Sequence, residues 1–209
     1  MSDHYHYHDH DHDHDHDHDH AHDDEHAHDE DEARTAESDV RKRIALSQVR
    51  QYGDPVLRMR ANEVVAFDEG LARLVERMTE LMHDAHGVGL AATQVGVVRR
   101  FFVFEHDGED LVLANPSITK TGKDIELDDE GCLSLGTVRV PVERAVEIVI
   151  EGQNAAGENV RYELEGMSAR VVQHELDHLE GKLILDRTDP ASRKEALAKL
   201  RPRLLLAQR

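Results

Sequence analysis

At 209 residues with a single cysteine, the chain is long enough for one domain with a proper core and cannot carry a disulfide within itself. Its formal net charge of −19 is unevenly placed, because residues 1–32 hold 14 Asp and Glu and no Lys or Arg, leaving 30 acids against 25 bases in the remainder. A body so mildly acidic lacks the concentrated basic face needed to coat nucleic acid, and no run approaches the roughly 18–20 apolar residues of a membrane-spanning helix.

The opening MSDHYHYHDHDHDHDHDHDHAHDDEHAHDEDE carries 12 of the 17 histidines, mostly alternating with aspartate, and offers little to bury. A disordered His/Asp-rich tail over 1–38 is expected, followed by one domain over 39–209. Neutral imidazoles beside carboxylates bind divalent transition metals at many weak, interchangeable positions, a capacity that falls as the rings gain protons near their unperturbed pKa of about 6.5. Divalent metals are therefore expected partners of the tail; a merely solvated segment or an added handle is the plainer alternative. The start also lacks the basic residues and apolar run of an export signal, and a lone thiol suits a reducing compartment, so a cytoplasmic protein is expected.

The body begins with FDEGLARLVERMTELMHDAHG, in which Leu71, Leu74, Val75, Met78, Leu81, Met82 and Ala85 fall at helical spacing, with Asp68 as cap and Gly87 as stop. RRFFVFEH and DLVLANP then predict a hairpin around Asp107 to Asp110. ERAVEIVIEG and ENVRYELEG flank the turn NAAG, and Val160, Tyr162 and Leu164 alternate with Arg161, Glu163 and Glu165. MSARVVQHELDHLEG returns to helical spacing, and DPASRKEALAKLRPRLLLAQR predicts a basic helix interrupted at Pro202. Helix, then strands, then helix argues for α+β with largely antiparallel sheets.

Within VVQHELDHLEG, His174 and His178 lie one helical turn apart and can reach one ion, with Glu175 turned toward an open coordination position, an arrangement suited to hydrolysis. A surface helix with solvated histidines is the bland alternative. Two ligands do not make a site, so a third is required. The continuation HExxHxxGxxH fails, since Ile184 stands where its third histidine belongs, and Glu195 sits in the ordinary charged face RKEALA. Cys132, in DEGCLSLG, offers a soft thiolate suited to iron(II) or zinc; a covalent Cys–His pair remains open but leaves His178 and Glu175 unused. The expected fold is thus α+β, with mainly antiparallel sheets packed around a central HExxH metal-binding helix and with a C-terminal helix.

GVGLAATQ at 87–94, EGCLS at 130–134 and QHELDH at 173–178, in this order and spacing, resemble the signatures of the peptide deformylase family, and the similarity extends over about residues 45–188. The resemblance implies a hydrolase that removes the formyl group from the N-terminal formylmethionine of nascent polypeptides, using one Fe2+ per site, with Zn2+, Ni2+ or Co2+ as substitutes. By motif position Cys132, His174 and His178 would be the metal ligands and Glu175 the general acid and base, while Gln94 and the Leu133 backbone N–H would face the oxyanion. Gly89 and Arg139 would hold the peptide main chain, and Val88, Met167 and Val171 would lie near the methionine pocket. The domain over 39–209 would then be the catalytic domain.

Gly136 and Glu143 depart from family prolines, which predicts a looser loop between Ser134 and Arg144. The basic C-terminal helix is an expected contact for the ribosome. Competing readings are another HExxH metallohydrolase, such as a peptidase, and a non-catalytic metal-storing protein in which the tail is the working part.

Overall fold

The structure, a computed structural model, describes residues 23–206, and side chains over 34–200. The chain divides into two units at Glu37 and Ser38. Helix α1 spans Asp23–Gln48. Within the stretch 1–38 expected to be disordered, residues 23–38 are therefore helical, and residues 1–22 lie outside the described part. From Asp23 onward the strict His/Asp alternation yields to Glu, Ala and Arg, which favour helix.

Helix α2 covers Glu69–Asp84, and Asp68 caps it by accepting the Leu71 N–H at 2.9 Å. It ends three residues before the expected glycine: His86 takes the left-handed conformation, at φ 56°, and Gly87 donates its N–H back to Met82. Five antiparallel strands form the larger sheet, in the order β1 (Gly89–Ala91), β2 (Phe101–His106), β3 (Glu109–Thr121), β6 (Glu147–Gln153), β7 (Asn159–Glu165). The expected β2–β3 hairpin is tighter than anticipated. Asp107 and Gly108, both at positive φ, make a two-residue turn, so Glu109 and Asp110 already pair with β2.

Strand β2 reads FFVF because both its faces are covered. Phe101 and Val103 pack with Leu71, Met78 and Met82 of α2, whereas Phe102 and Phe104 pack with Val172 and Leu179 from helix α3, Gly166–Leu179. A second sheet has two strands, β4 (Ile125–Gly131) and β5 (Arg139–Ala145), paired over seven residues. ERAVEIVIEG is thus not one strand but the end of β5 and most of β6, divided between two sheets at Val146. The stretch expected to be loose is ordered from Arg139 onward by that pairing.

Helix α4, Pro190–Leu206, runs through Pro202 rather than stopping there. A proline removes one N–H and crowds one carbonyl, and near the end of a helix that loss need not break it. Ala196 and Leu200 of α4 pack on Val140 and Val142 of β5, together with Cys132. Helix α3 touches β1, β2 and β7 of the larger sheet and β5 of the smaller. The α+β class with antiparallel sheets and a C-terminal helix is what the chain forms. Among the described residues no helix is long and apolar enough to cross a membrane.

Candidate metal centre

Helix α3 presents His174 and His178 on one side, with ring centroids 5.0 Å apart. Cys132 arrives from the other sheet. It directly follows β4, in extended backbone, and precedes a short turn of 3-10 helix at Leu133–Leu135. One ligating atom from each of Cys132, His174 and His178 falls within 4.8 Å of the others, and Sγ lies 3.3 Å from His178 Nε2. No other such group of three occurs among the described residues.

The donor set fits a metal cation on several counts. Sulfur and two imidazoles are the ligands that soft or borderline divalent ions favour. His178 is buried and stripped of water, which holds its ring well below the ordinary histidine range and so neutral, as a ligand must be. Burial pushes His174 the same way, but the Cys132 thiol and the Glu130 carboxylate outweigh it and hold that ring well above the ordinary range. The pocket therefore favours positive charge, which a proton or a metal cation can supply.

The second ring is oriented by carboxylate. His174 Nδ1–H donates to Glu130 Oε2 at 3.0 Å, leaving Nε2 for a ligand. Glu130 is 5 % exposed and is itself gripped by Arg144, whose Nε and Nη2 donate to its two oxygens at 2.9 and 3.0 Å. Burial raises the Glu130 carboxyl, yet the hydrogen bonds and charge of Arg144 and His174 prevail and bring it down to about 2. Arg144 also donates to Asp177 Oδ2 at 2.6 Å, and Arg187 forks onto the same carboxylate. None of Glu130, Arg144 and Asp177 figures among the residues expected from sequence. The one available signal was position, since Glu130 lies two residues before Cys132 and Asp177 one before His178.

Glu175 is buried, its Oε2 has no hydrogen-bond partner in the protein, and burial pushes its carboxyl up to about 7. A carboxyl poised near neutrality can both take and return a proton. Gly89 lies against it: a Cβ there would fall 2.5 Å from Glu175 Oε1 and 2.9 Å from Val171 Cγ1. Gln94 sits in a 3-10 turn at Ala92–Val95, accepts the Ala91 N–H at 2.8 Å, and directs its Nε2 to Ser134 Oγ at 3.2 Å and to Cys132 Sγ at 3.7 Å.

A cavity of about 730 Å3 opens over this group. Ten of the eleven residues singled out from sequence line it, and His178 alone lies out of its reach. Val88 and Met167 are half exposed or more at its mouth, whereas Val171 is buried in its wall. Arg139 is at the rim, donating to the Asp129 carbonyl at 2.6 Å. Sequence reasoning missed Lys42, Leu46 and His86, which also line the cavity. Lys42 belongs to α1, where a charged helix face gave no sign of approaching the site.

Residues 46–194 match the model of the polypeptide deformylase family. A peptide deformylase of Thermotoga neapolitana is 49 % identical over 146 residues, which is 70 % of this chain and 89 % of that protein. Peptide deformylase 1 of Corynebacterium glutamicum is 44 % identical over 162 residues, 76 % of this chain and 96 % of that one. Among solved structures, the peptide deformylase of Thermotoga maritima superposes with a TM-score of 0.66 at 48 % identity, covering 68 % of this chain and 97 % of that one. The Synechococcus elongatus peptide deformylase, in complex with actinonin, gives a TM-score of 0.70 at 38 % identity, covering 73 % and 84 %.

Proposed function

The chain belongs to the polypeptide deformylase family, and from that premise we propose which of its residues carry the reaction. The activity is metal-dependent hydrolysis of the formyl group from formylated nascent peptides. The C–N bond of the formamide breaks, formate leaves and a free amine remains. Membership sets aside the peptidase and the metal store as accounts of the body.

We assign Cys132, His174 and His178 as the metal ligands, because a sulfur and two imidazoles converge beside the Glu175 carboxylate, whose Oε2 has no hydrogen-bond partner in the protein. That convergence is the observation on which the reading rests, and it makes α3 the metal-binding helix. A divalent cation held there supplies Lewis acidity and acidifies bound water. Glu175 takes the proton from the attacking water and delivers it to the departing amine, a task its carboxyl suits near neutrality. Gln94 Nε2 and the Leu133 N–H are the donors for charge growing on the formyl oxygen, each worth about 3 kcal/mol by analogy with other oxyanion sites.

The substrate main chain lies along the outer edge of β1 at Gly89, which pairs with β2 on its other side only. Arg139 holds it from across the cavity. Val88, Met167 and Val171, apolar residues that line the cavity, surround the methionine side chain. The metal we infer is iron(II), with zinc, nickel or cobalt as substitutes, since sulfur ligation suits it; metal analysis of protein purified without oxygen is the measurement that tests this.

Formate release from a formyl-Met-Ala peptide tests the assignment. On the chain without residues 1–32, whose histidines bind metal of their own, Glu175→Ala is expected to lower turnover by about 10²- to 10⁴-fold while bound metal stays stoichiometric, and Cys132→Ala is expected to lose the metal itself. A Cys132→Ala protein that binds metal and releases formate like the parent ends this reading. Two partners are proposed from sequence chemistry: divalent metals for the N-terminal tail, and the ribosome for the basic helix α4 in a cytoplasmic setting. Ribosome co-sedimentation that survives removal of residues 190–209 disposes of the second.

A further inference from the structure

We propose that Arg170 is a positioning residue for the metal centre, a strut whose guanidinium holds the strand leading into Cys132 against the helix carrying His174 and His178. The inference rests on the ligand assignment above. Its starting point is a question of mechanics. The ligand set is split between two elements, and 46 residues of chain separate Cys132 from His178.

Apolar packing does not by itself hold the halves together. The buried apolar residues of α3, among them Ala169, Val172 and Leu179, cluster with the five-stranded sheet. Cys132 clusters instead with Val140 and Val142 of β5 and with Ile184, Ala196 and Leu200. Apart from Ala145 at the end of β5, which joins the α3 cluster, the side-chain contacts across the seam are polar. Gln173 brackets the Ala145 backbone, Arg144 reaches Asp177, Glu130 reaches His174, and Arg170 reaches both strands.

Arg170 makes the widest of these connections. It is 6 % exposed. Its Nη1 donates to Glu130 Oε1 at 3.1 Å and to the Val142 carbonyl at 2.9 Å, and its Nη2 donates to the Glu126 carbonyl at 2.9 Å. One planar fork therefore spans β4 and β5 from a position one helical turn before His174. It also fixes Glu130, whose other oxygen accepts His174 Nδ1–H. A single side chain thus acts on both halves: it sets the seat of the strand that ends in Cys132 and the carboxylate that aims His174. Lysine cannot copy this, because an ammonium lacks the rigid divergent donors of a guanidinium.

The test uses the full chain loaded with cobalt(II), whose thiolate charge-transfer absorption in the near ultraviolet reports the sulfur ligand. The chain has one cysteine, so cobalt bound by the tail histidines adds nothing to that band. Adding a chelator in excess and following the band gives a rate of metal loss. Arg170→Met keeps the stem and removes the fork; it is expected to lose cobalt about tenfold faster or more, as loss of a ligand's supporting partner commonly does, and to shift the band. Arg170→Lys is expected to lie between it and the parent. Glu126→Ala removes an exposed carboxylate 3.7 Å from Arg170 Nη2 but keeps the carbonyl that the fork grips, so its rate should stay within about twofold of the parent. A Met variant with the parent's band and rate overturns the proposal. If that variant does not fold, Arg170→Lys decides: faster loss supports the strut, and loss at the parent's rate overturns it. A parent chain with no thiolate band removes the ligand assignment, and the strut with it.

Discussion

Gly89 has no side chain because the site leaves no room for one. Its virtual Cβ would fall 2.5 Å from Glu175 Oε1, far inside contact distance, so Gly89→Ala must push the carboxylate aside or shift β1. Displacements of about 1 Å at reacting groups can cost two orders of magnitude in rate. Formate release by Gly89→Ala is accordingly expected to fall about 10²-fold, with bound metal unchanged because Gly89 touches none of the three ligands; equal turnover would show that Glu175 tolerates the move. At this scale the residues assigned to the chemistry were legible as candidates, since HExxH spacing and one unexplained cysteine each ask for a function. The residues that hold them were not. Glu130 sits in the acidic run DDEG, where Asp128 and Asp129 are exposed and Glu130 is buried, and nothing in that string tells them apart.

Elements make those holding residues necessary. Arg144 leaves β5, grips Glu130 of β4 and reaches Asp177 of α3, with both its own side chain and that of Glu130 5 % exposed. Removing one member of such a buried group leaves the others charged and short of partners, a loss of roughly 3–5 kcal/mol. Arg170 and Arg187 still serve Glu130 and Asp177, so Arg144→Leu is expected at the low end, about 3 kcal/mol by urea unfolding; a change within error would mean that the remaining arginines suffice. A milder case is Asp68, whose carboxyl is held below its ordinary value of 3.8 chiefly by the Leu71 N–H it accepts at the start of α2. A carboxyl lowered by folding stabilises the protein above its unfolded pKa, and the effect is lost as pH falls through the folded one. Asp68→Ala should lower the Tm at neutral pH, and the gap should close as pH drops below 3.8; a gap constant with pH would contradict the cap. The α2 helix and both hairpins of the larger sheet were legible from period and turn residues. Strand β4 was not, because Ile125 and Leu127 point to solvent and the acids beside them, Glu126 and Asp128 to Glu130, mimic a loop, so only pairing with β5 reveals it. Helix α4 misled for the opposite reason: proline is a strong local signal for a break, yet close to a helix end it removes little that the helix needs.

The whole chain joins a family domain to a segment that the family match, beginning at residue 46, does not include. The segment's value must therefore be argued from its chemistry. Twelve histidines among 14 carboxylates in residues 1–32 make a dense set of weak donors, while the body offers one tripod of sulfur and two buried imidazoles. Weak sites exchange quickly and cannot compete with the tripod at equilibrium, yet they raise the amount of metal carried by the same molecule. Removing residues 1–32 should thus leave turnover of fully loaded protein unchanged and slow the filling of the body site, so that its occupancy lags at early times when total metal is limiting. Protonated imidazoles do not ligate, so the difference should be clear at about pH 7.5 and fade by about pH 5.5, one unit below the free imidazole value of about 6.5. The measurement is metal content and formate release for the full and shortened chains after dilution into limiting zinc. Equal occupancy at the higher pH would reduce the tail to a solvated appendage, and a difference that persists at the lower pH would assign the effect to its carboxylates instead.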